Sequence, residues 1–213
     1  MAKLKNGIFG AISGKLGPLV GGIWNGIPYL RERPKQGEIK KARTSAQIAN
    51  EAKFKFGNNW LVPFHPFVSV GFHNYAVGKT AIAAAFSANY LQVISGAYPN
   101  FVIDYPKVVI SKGSLPQLKD PLLSLSDPDT LEISWLPNTG THASYNDQLM
   151  LVLYSPELQI ADGFIGYANR ADEQYSFKFN PQLVGVSLEV YLSVVSLDRK
   201  KVADSIYMGR IAP

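Results

Sequence analysis

Between Asp129 and Ile211 the chain alternates short apolar runs with turn chemistry, and this pattern limits its fold more than anything else in the sequence. The run Leu131-Glu132-Ile133-Ser134-Trp135 has period two, as a strand with one buried face requires. Further runs span residues 148–154, 175–179, 186–195 and 202–211. They are separated by Pro137-Asn138-Thr139-Gly140, Asp162-Gly163, Asn180-Pro181 and Asp198-Arg199-Lys200. Gly and Asn tolerate positive φ and Pro cannot donate to a ladder, so these segments predict turns. Short strands with frequent turns predict an antiparallel β-sandwich. Parity within the runs places Ile133, Trp135, Leu151, Leu153, Val190, Leu192 and Val194 in its core.

The N-terminal segment has another character. Leu19-Val20-Gly21-Gly22-Ile23-Trp24, then Asn25-Gly26, then Ile27-Pro28-Tyr29-Leu30 has the form of a β-hairpin, since Asn-Gly is the strongest two-residue hairpin turn. An isolated hairpin is marginal in water. Val20, Ile23, Trp24, Asn25, Gly26, Ile27 and Tyr29 are therefore expected to form an arm that docks on something outside itself. Around and after it stand Lys15, Arg31, Arg33, Lys35, Lys40, Lys41 and Arg43. Residues 1–60 hold eleven Lys and Arg against three Glu, a balance of +8, and the remainder of a chain of net charge +5 carries −3. Such an arm suits an acidic partner surface, a neighbouring copy or nucleic acid.

Two helices are expected between arm and sandwich. Thr44-Ser45-Ala46-Gln47 matches a capping box, followed by the stripe Ile48, Ala52, Phe56 and Trp60. Lys79–Ser95 is rich in alanine and apolar almost all round, with Thr80 as an N-cap and Gly96 in the C-terminal capping position. Residues 111–127 read as a loop-rich passage. The predicted class is mainly β with a helical segment (α+β), in three parts: a glycine-rich arm over 1–43, helices over 44–97 and a sandwich over 98–213.

Motifs for catalysis fail one by one. Gly10-Ala11-Ile12-Ser13-Gly14-Lys15 lacks one residue of a phosphate loop and has Leu16 where the metal-binding hydroxyl belongs. Gly78-Lys79-Thr80 has the right ending, but His73 stands where the first glycine should be. His65, His73 and His142 fall in no paired ligand spacing, and a chain without cysteine has no thiolate ligand or thiol nucleophile. No Gly-x-Ser-x-Gly elbow is present, and the acidic pairs Asp127/Asp129 and Asp172/Glu173 lie in turn-like positions. The chain is read as non-enzymatic, with no cofactor, no metal and no small-molecule substrate. Glycines, Lys15 and Pro18 interrupt the first apolar stretch, so no signal peptide and no membrane span are expected. Synthesis in the cytoplasm follows, with a virion or extracellular assembly as the destination.

Two segments carry a resemblance. One comprises Asn6-Gly7-Ile8, Gly14-Lys15-Leu16-Gly17, Val20-Gly21 and Trp24-Asn25-Gly26, closing on Arg31 and Pro34. The other runs from Gly71-Phe72 through Tyr98-Pro99-Asn100-Phe101 to Ser111-Lys112-Gly113-Ser114-Leu115. With Asp147-Gln148-Leu149 and Ser205-Ile206-Tyr207-Met208-Gly209, the chain resembles a family of uncharacterised Bacteroidota proteins known as a domain of unknown function. That resemblance brings no catalytic residues. The Trp135 and Tyr191 strands are similar to a fibronectin type III sandwich, which concerns fold alone. The glycine-rich arm is similar to N-terminal segments of some phage and prophage structural proteins.

These features predict a structural subunit that self-assembles through its arm with copies of itself or with other structural subunits, in a virion, tail or filament. The alternative is a nucleic-acid-binding accessory protein that uses Lys15, Arg31, Arg33, Lys35, Lys40, Lys41 and Arg43.

Overall fold

The computed structural model describes residues 3–4, 7, 10–24, 26–34, 42–137 and 142–212. The chain forms two compact units, Met1–Thr44 and Ser45–Pro213. The class is α+β and mainly β, as the sequence predicts.

In the first unit, β1 (Lys3–Leu4), β2 (Ile12–Leu16), β3 (Leu19–Trp24) and β4 (Ile27–Glu32) form one antiparallel sheet in that order. The expected hairpin is β3–β4, whose register runs from Leu19↔Glu32 to Trp24↔Ile27. Gly26 takes φ +80 in the turn, where a residue without Cβ meets no steric penalty. Asn25, its partner in the expected turn, lies outside the described residues. Two strands more than the hairpin belong to this sheet, and β1 and β2 were too short and glycine-flanked to show a period.

The second unit starts with α1 (Ser45–Leu61), a 3-10 turn over Val62–Phe64, and α2 (His65–Gly71). Pro63 and Pro66 sit in the first positions of the turn and of α2, where a missing N–H breaks no helical bond. Of the α1 stripe only Trp60 is buried, Ala52 and Phe56 are half-buried, and Ile48 is exposed. α3 (Ala81–Val93) has the expected cap, the Thr80 Oγ1 accepting from the Ala83 amide at 3.1 Å. Its burial is one-sided, through Ala84, Ala85, Asn89 and Val93, and Leu91 is 79% exposed. Gly96 does not cap this helix. Ile94 already has extended dihedrals, and the chain passes at once into β5 (Ile94–Ala97), where Gly96 pairs with Phe101 of β6 (Asn100–Ile103).

The sandwich comprises β7 (Lys119–Asp127), β8 (Thr130–Leu136), β9 (Gln148–Ser155), β10 (Ile160–Asn169), β11 (Gln174–Lys178), β12 (Leu188–Val195) and β13 (Ile206–Ile211). They form a three-stranded sheet, β11-β8-β7, and a four-stranded sheet, β10-β9-β12-β13. β7 occupies the stretch read as a loop. It is an edge strand, where Pro121 removes no ladder bond that a second neighbour would need. Asp162-Gly163 is not a turn but lies inside β10: a Cβ on Gly163 would stand 2.1 Å from the Leu151 carbonyl oxygen, so the glycine permits close approach of β9.

All seven residues assigned to the sandwich core by parity are buried, in one cluster with Leu131 and Phe177. The opposite parity is buried too. Met150, Val152, Tyr154, Tyr191 and Val195 pack in a second cluster with Trp60, Leu61, Phe64, Val68 and Ala85 of the helical segment. The four-stranded sheet is thus the middle of three layers, between β11-β8-β7 and the helices. Asn89 ties the helical layer to the following chain: its amide donates to the Val109 carbonyl at 2.9 Å and accepts from the Val109 N–H at 2.8 Å.

Candidate functional site

Cross-strand register sorts the residues of the arm onto two faces, because opposed residues point to the same side of a sheet. Trp24 opposes Ile27, Gly22 opposes Tyr29, and Val20 is flanked by Arg31 and Lys15. One face thus holds Lys15, Val20, Trp24, Ile27, Tyr29 and Arg31. Ile23, expected to work with these, lies on the other face with Pro28, Leu16, Leu19 and Leu30. Both faces carry exposed apolar side chains among the described residues: Ile23, Trp24, Ile27, Tyr29 and Leu30 are 60, 50, 57, 44 and 53% exposed. Arg33 follows β4 and Arg43 precedes α1, both exposed. Lys35, Lys40 and Lys41, like Asn25, lie outside the described residues.

The outer face of β11-β8-β7 differs from the arm in charge. Glu132 lies between Ser124 of β7 and Ser176 of β11, next to the Ser134 row, in a depression of about 450 Å³. Leu122 opposes Ser134 on the same face and is 68% exposed, and Leu136 is 49% exposed. This surface joins an acid to exposed leucines.

A polar cluster that parity did not reveal lies under the helices. Glu189 of β12 is fully buried; it accepts from the Tyr207 hydroxyl at 2.6 Å and from Arg210 Nε at 2.8 Å. Burial, then the bond to Glu189, pushes the Tyr207 phenol up to about 12. Burial raises Tyr105, Tyr154 and Tyr191 as well, with the Glu189 charge adding to Tyr105 and Tyr191. Phenols held this way stay protonated near neutrality and are donors, not bases, as Tyr207 is toward Glu189 and Tyr191 toward the Tyr105 carbonyl. A signal for the cluster was available: a carboxylate in the otherwise apolar run 186–195 must be paired if the run is buried.

His65 opens α2, His73 lies in the turn after it, and His142 precedes β9. Among the described residues, no group of three or more His, Cys, Asp or Glu can hold a metal. No helix among them is long and apolar enough to cross a membrane.

A β-sandwich with helices on one side of its larger sheet, preceded in sequence by a separate basic sheet, defines this as an α+β sandwich protein. The chain belongs to the family of unknown function DUF6266, which matches residues 11–209. No curated protein matches it. Among solved structures, the fn3 domain of the human collagen alpha-1(XX) chain is similar at 15% identity with a TM-score of 0.36, covering 48% of this chain and 90% of that one.

Proposed function

We propose that this protein is a non-enzymatic structural subunit that assembles into a particle or filament, of the virion or phage-tail kind, through its N-terminal sheet. The observation that carries this reading is an arm sheet whose large apolar side chains are exposed on both faces. A sheet gains stability by burying a hydrophobic face, and exposed apolar patches rimmed by charge mark protein interfaces. Pro28 in the edge strand β4 has no N–H to offer an added strand, which favours docking by a face over pairing by the edge.

The occupant is a second copy. Residues 1–44 carry nine basic and two acidic groups, a balance of +7, and residues 45–213 carry twelve and fourteen, a balance of −2. The face with Lys15, Arg31, Trp24 and Ile27 complements the neighbour's surface of Glu132, Leu122 and Leu136. Such a contact joins unlike surfaces head to tail, which yields rings or filaments.

Size-exclusion chromatography with light scattering on the full chain tests this. The expected result is concentration-dependent assembly that is lost in Trp24→Ser and Glu132→Lys and regained when Glu132→Lys is combined with Arg31→Glu. A chain that stays monomeric at high concentration, or single variants that assemble like the parent, would sink it.

The register also favours a second reading, because Lys15 and Arg31 share a face with Trp24 and Tyr29. Cations among aromatics suit single-stranded nucleic acid, the cations following phosphates and the rings stacking on bases. Binding of DNA or RNA must then weaken steeply with salt. Absence of binding at low salt removes this alternative.

A further inference from the structure

We propose that a groove on the Ser45–Pro213 unit is a binding site for a neutral saccharide, separate from the assembly surfaces. The groove lies between α1, β6 and the connection from β9 to β10, with a volume of about 410 Å³. Small-molecule sites occupy roughly 300–1,000 Å³. Aromatic pairs line it: Phe56 and Phe101 have ring centroids 5.7 Å apart, and Tyr105 and Tyr154 6.1 Å apart.

Its polar groups decide the ligand class. Trp60 is only 8% exposed, and its indole Nε1 is buried without a hydrogen-bond partner among the described residues. An unpaired buried donor is a standing cost to the fold, and a ligand oxygen that reaches it as the groove opens removes that cost. The side chains of Asn59 and Gln159 and the hydroxyls of Tyr105 and Tyr154, which also line the groove, have no hydrogen-bond partner among the described residues. Gln159 is fixed by a left-handed backbone, φ +57, in the turn between the strands.

Among the described residues, no Asp, Glu, Lys, Arg or His lines the groove. Phosphates, carboxylates and amines are recognised by opposite charge, and none is offered here. What remains is a ligand with apolar faces for the rings and with groups that both donate and accept. Saccharides combine these properties: their C–H faces lie on aromatic rings and their hydroxyls pair with amides, phenols and an indole N–H. The raised Tyr105 phenol keeps its proton for such bonds. An apolar or proline-rich peptide would use the rings but would leave this set of donors largely unanswered.

Affinity electrophoresis of the full chain through gels containing xyloglucan, hydroxyethylcellulose, galactomannan or glycogen tests the assignment. We expect at least one of these neutral polymers to retard the protein, and Asn59→Ala and Trp60→Phe each to weaken the retardation about tenfold, the effect of one lost hydrogen bond of about 1.4 kcal/mol. Val77→Ser, in the exposed loop between α2 and α3, should leave it unchanged. Should Trp60→Phe melt early, Asn59→Ala decides alone, since Asn59 is on the exposed side of α1. The proposal is overturned if no neutral polymer retards the protein, or if retardation survives intact in Asn59→Ala. It is overturned equally if only a proline-rich peptide binds in an Asn59-dependent way.

Discussion

Arg170 shows what one residue contributes when its charge is removed from water. Its side chain is 3% exposed, as is Asp147 at 4%, and the two are joined at 3.3 Å. The guanidinium also donates to the Pro116 carbonyl at 2.7 Å and the Gln117 carbonyl at 3.3 Å, while the Arg170 carbonyl accepts from Trp135 Nε1 at 2.8 Å. The residue thus pins the loop before β7, the start of β9 and the core tryptophan at one point. Removing one partner of a buried pair leaves the other charge uncompensated, at a cost of about 3–5 kcal/mol. Arg170→Met should lower stability by that amount in urea denaturation. A loss below about 1 kcal/mol, the range of exposed pairs, would mean that Asp147 is well solvated without it. Trp135 was legible from parity in the Leu131–Trp135 run. Arg170 was not, because a charged residue in a polar turn between two strands reads as surface, and only the fold brings Asp147 and the 116–117 carbonyls to it.

Among the elements, β9 and β12 separate what sequence period reveals from what it hides. Their runs, Leu149-Met150-Leu151-Val152-Leu153 and Val190-Tyr191-Leu192-Ser193-Val194, are nearly continuous in apolar residues, as strands buried on both faces are. One parity supplied the sandwich core correctly. The other parity packs on helices, and a run without alternation does not say which layer covers the second face. β10 was hidden for a different reason, since Asp162-Gly163 has the composition of a turn. Its glycine meets a packing demand instead, with φ +148 and the Leu151 carbonyl oxygen standing where a Cβ would go. Gly163→Ala should therefore be destabilising although it usually favours folding entropy. Backbone strain alone is worth about 1–3 kcal/mol, and displacement of the β9–β10 ladder adds to it. Thermal melting checks this. A melting temperature equal to that of the parent would show that β10 shifts without cost. The arm hairpin was legible from Asn25-Gly26, and its face assignment was not, because glycines at 21 and 22 leave half of the alternation blank.

At the scale of the whole molecule, the four tyrosines between the helices and the middle sheet make the stability of the Ser45–Pro213 unit sensitive to alkali. Tyr191 is buried, its hydroxyl donates to the Tyr105 carbonyl at 3.0 Å, and its ring stands 5.4 Å from that of Tyr207. All four phenols are raised above their ordinary value of 10.0, Tyr207 to about 12. The direction of the linkage follows. A phenol whose pKa is higher when folded keeps its proton in the native state after the unfolded chain has lost it. Stability is then complete below about pH 10 and falls as pH rises toward the folded values. For the fully buried Tyr191 alone, the slope above about pH 10 approaches 1.4 kcal/mol per pH unit. The melting temperature should consequently stay level from neutrality to about pH 10 and then drop steeply, with phenolate absorbance appearing together with unfolding and not before it. Tyr154→Phe is the informative variant, because its hydroxyl has no partner among the described residues and its loss removes a titrating group without opening a cavity. That variant should hold its melting temperature further into alkali than the parent. Phenolates that form at their ordinary pKa while the fold persists would refute the link, because the tyrosines would then be solvated and the middle sheet would not be closed by the helices above it.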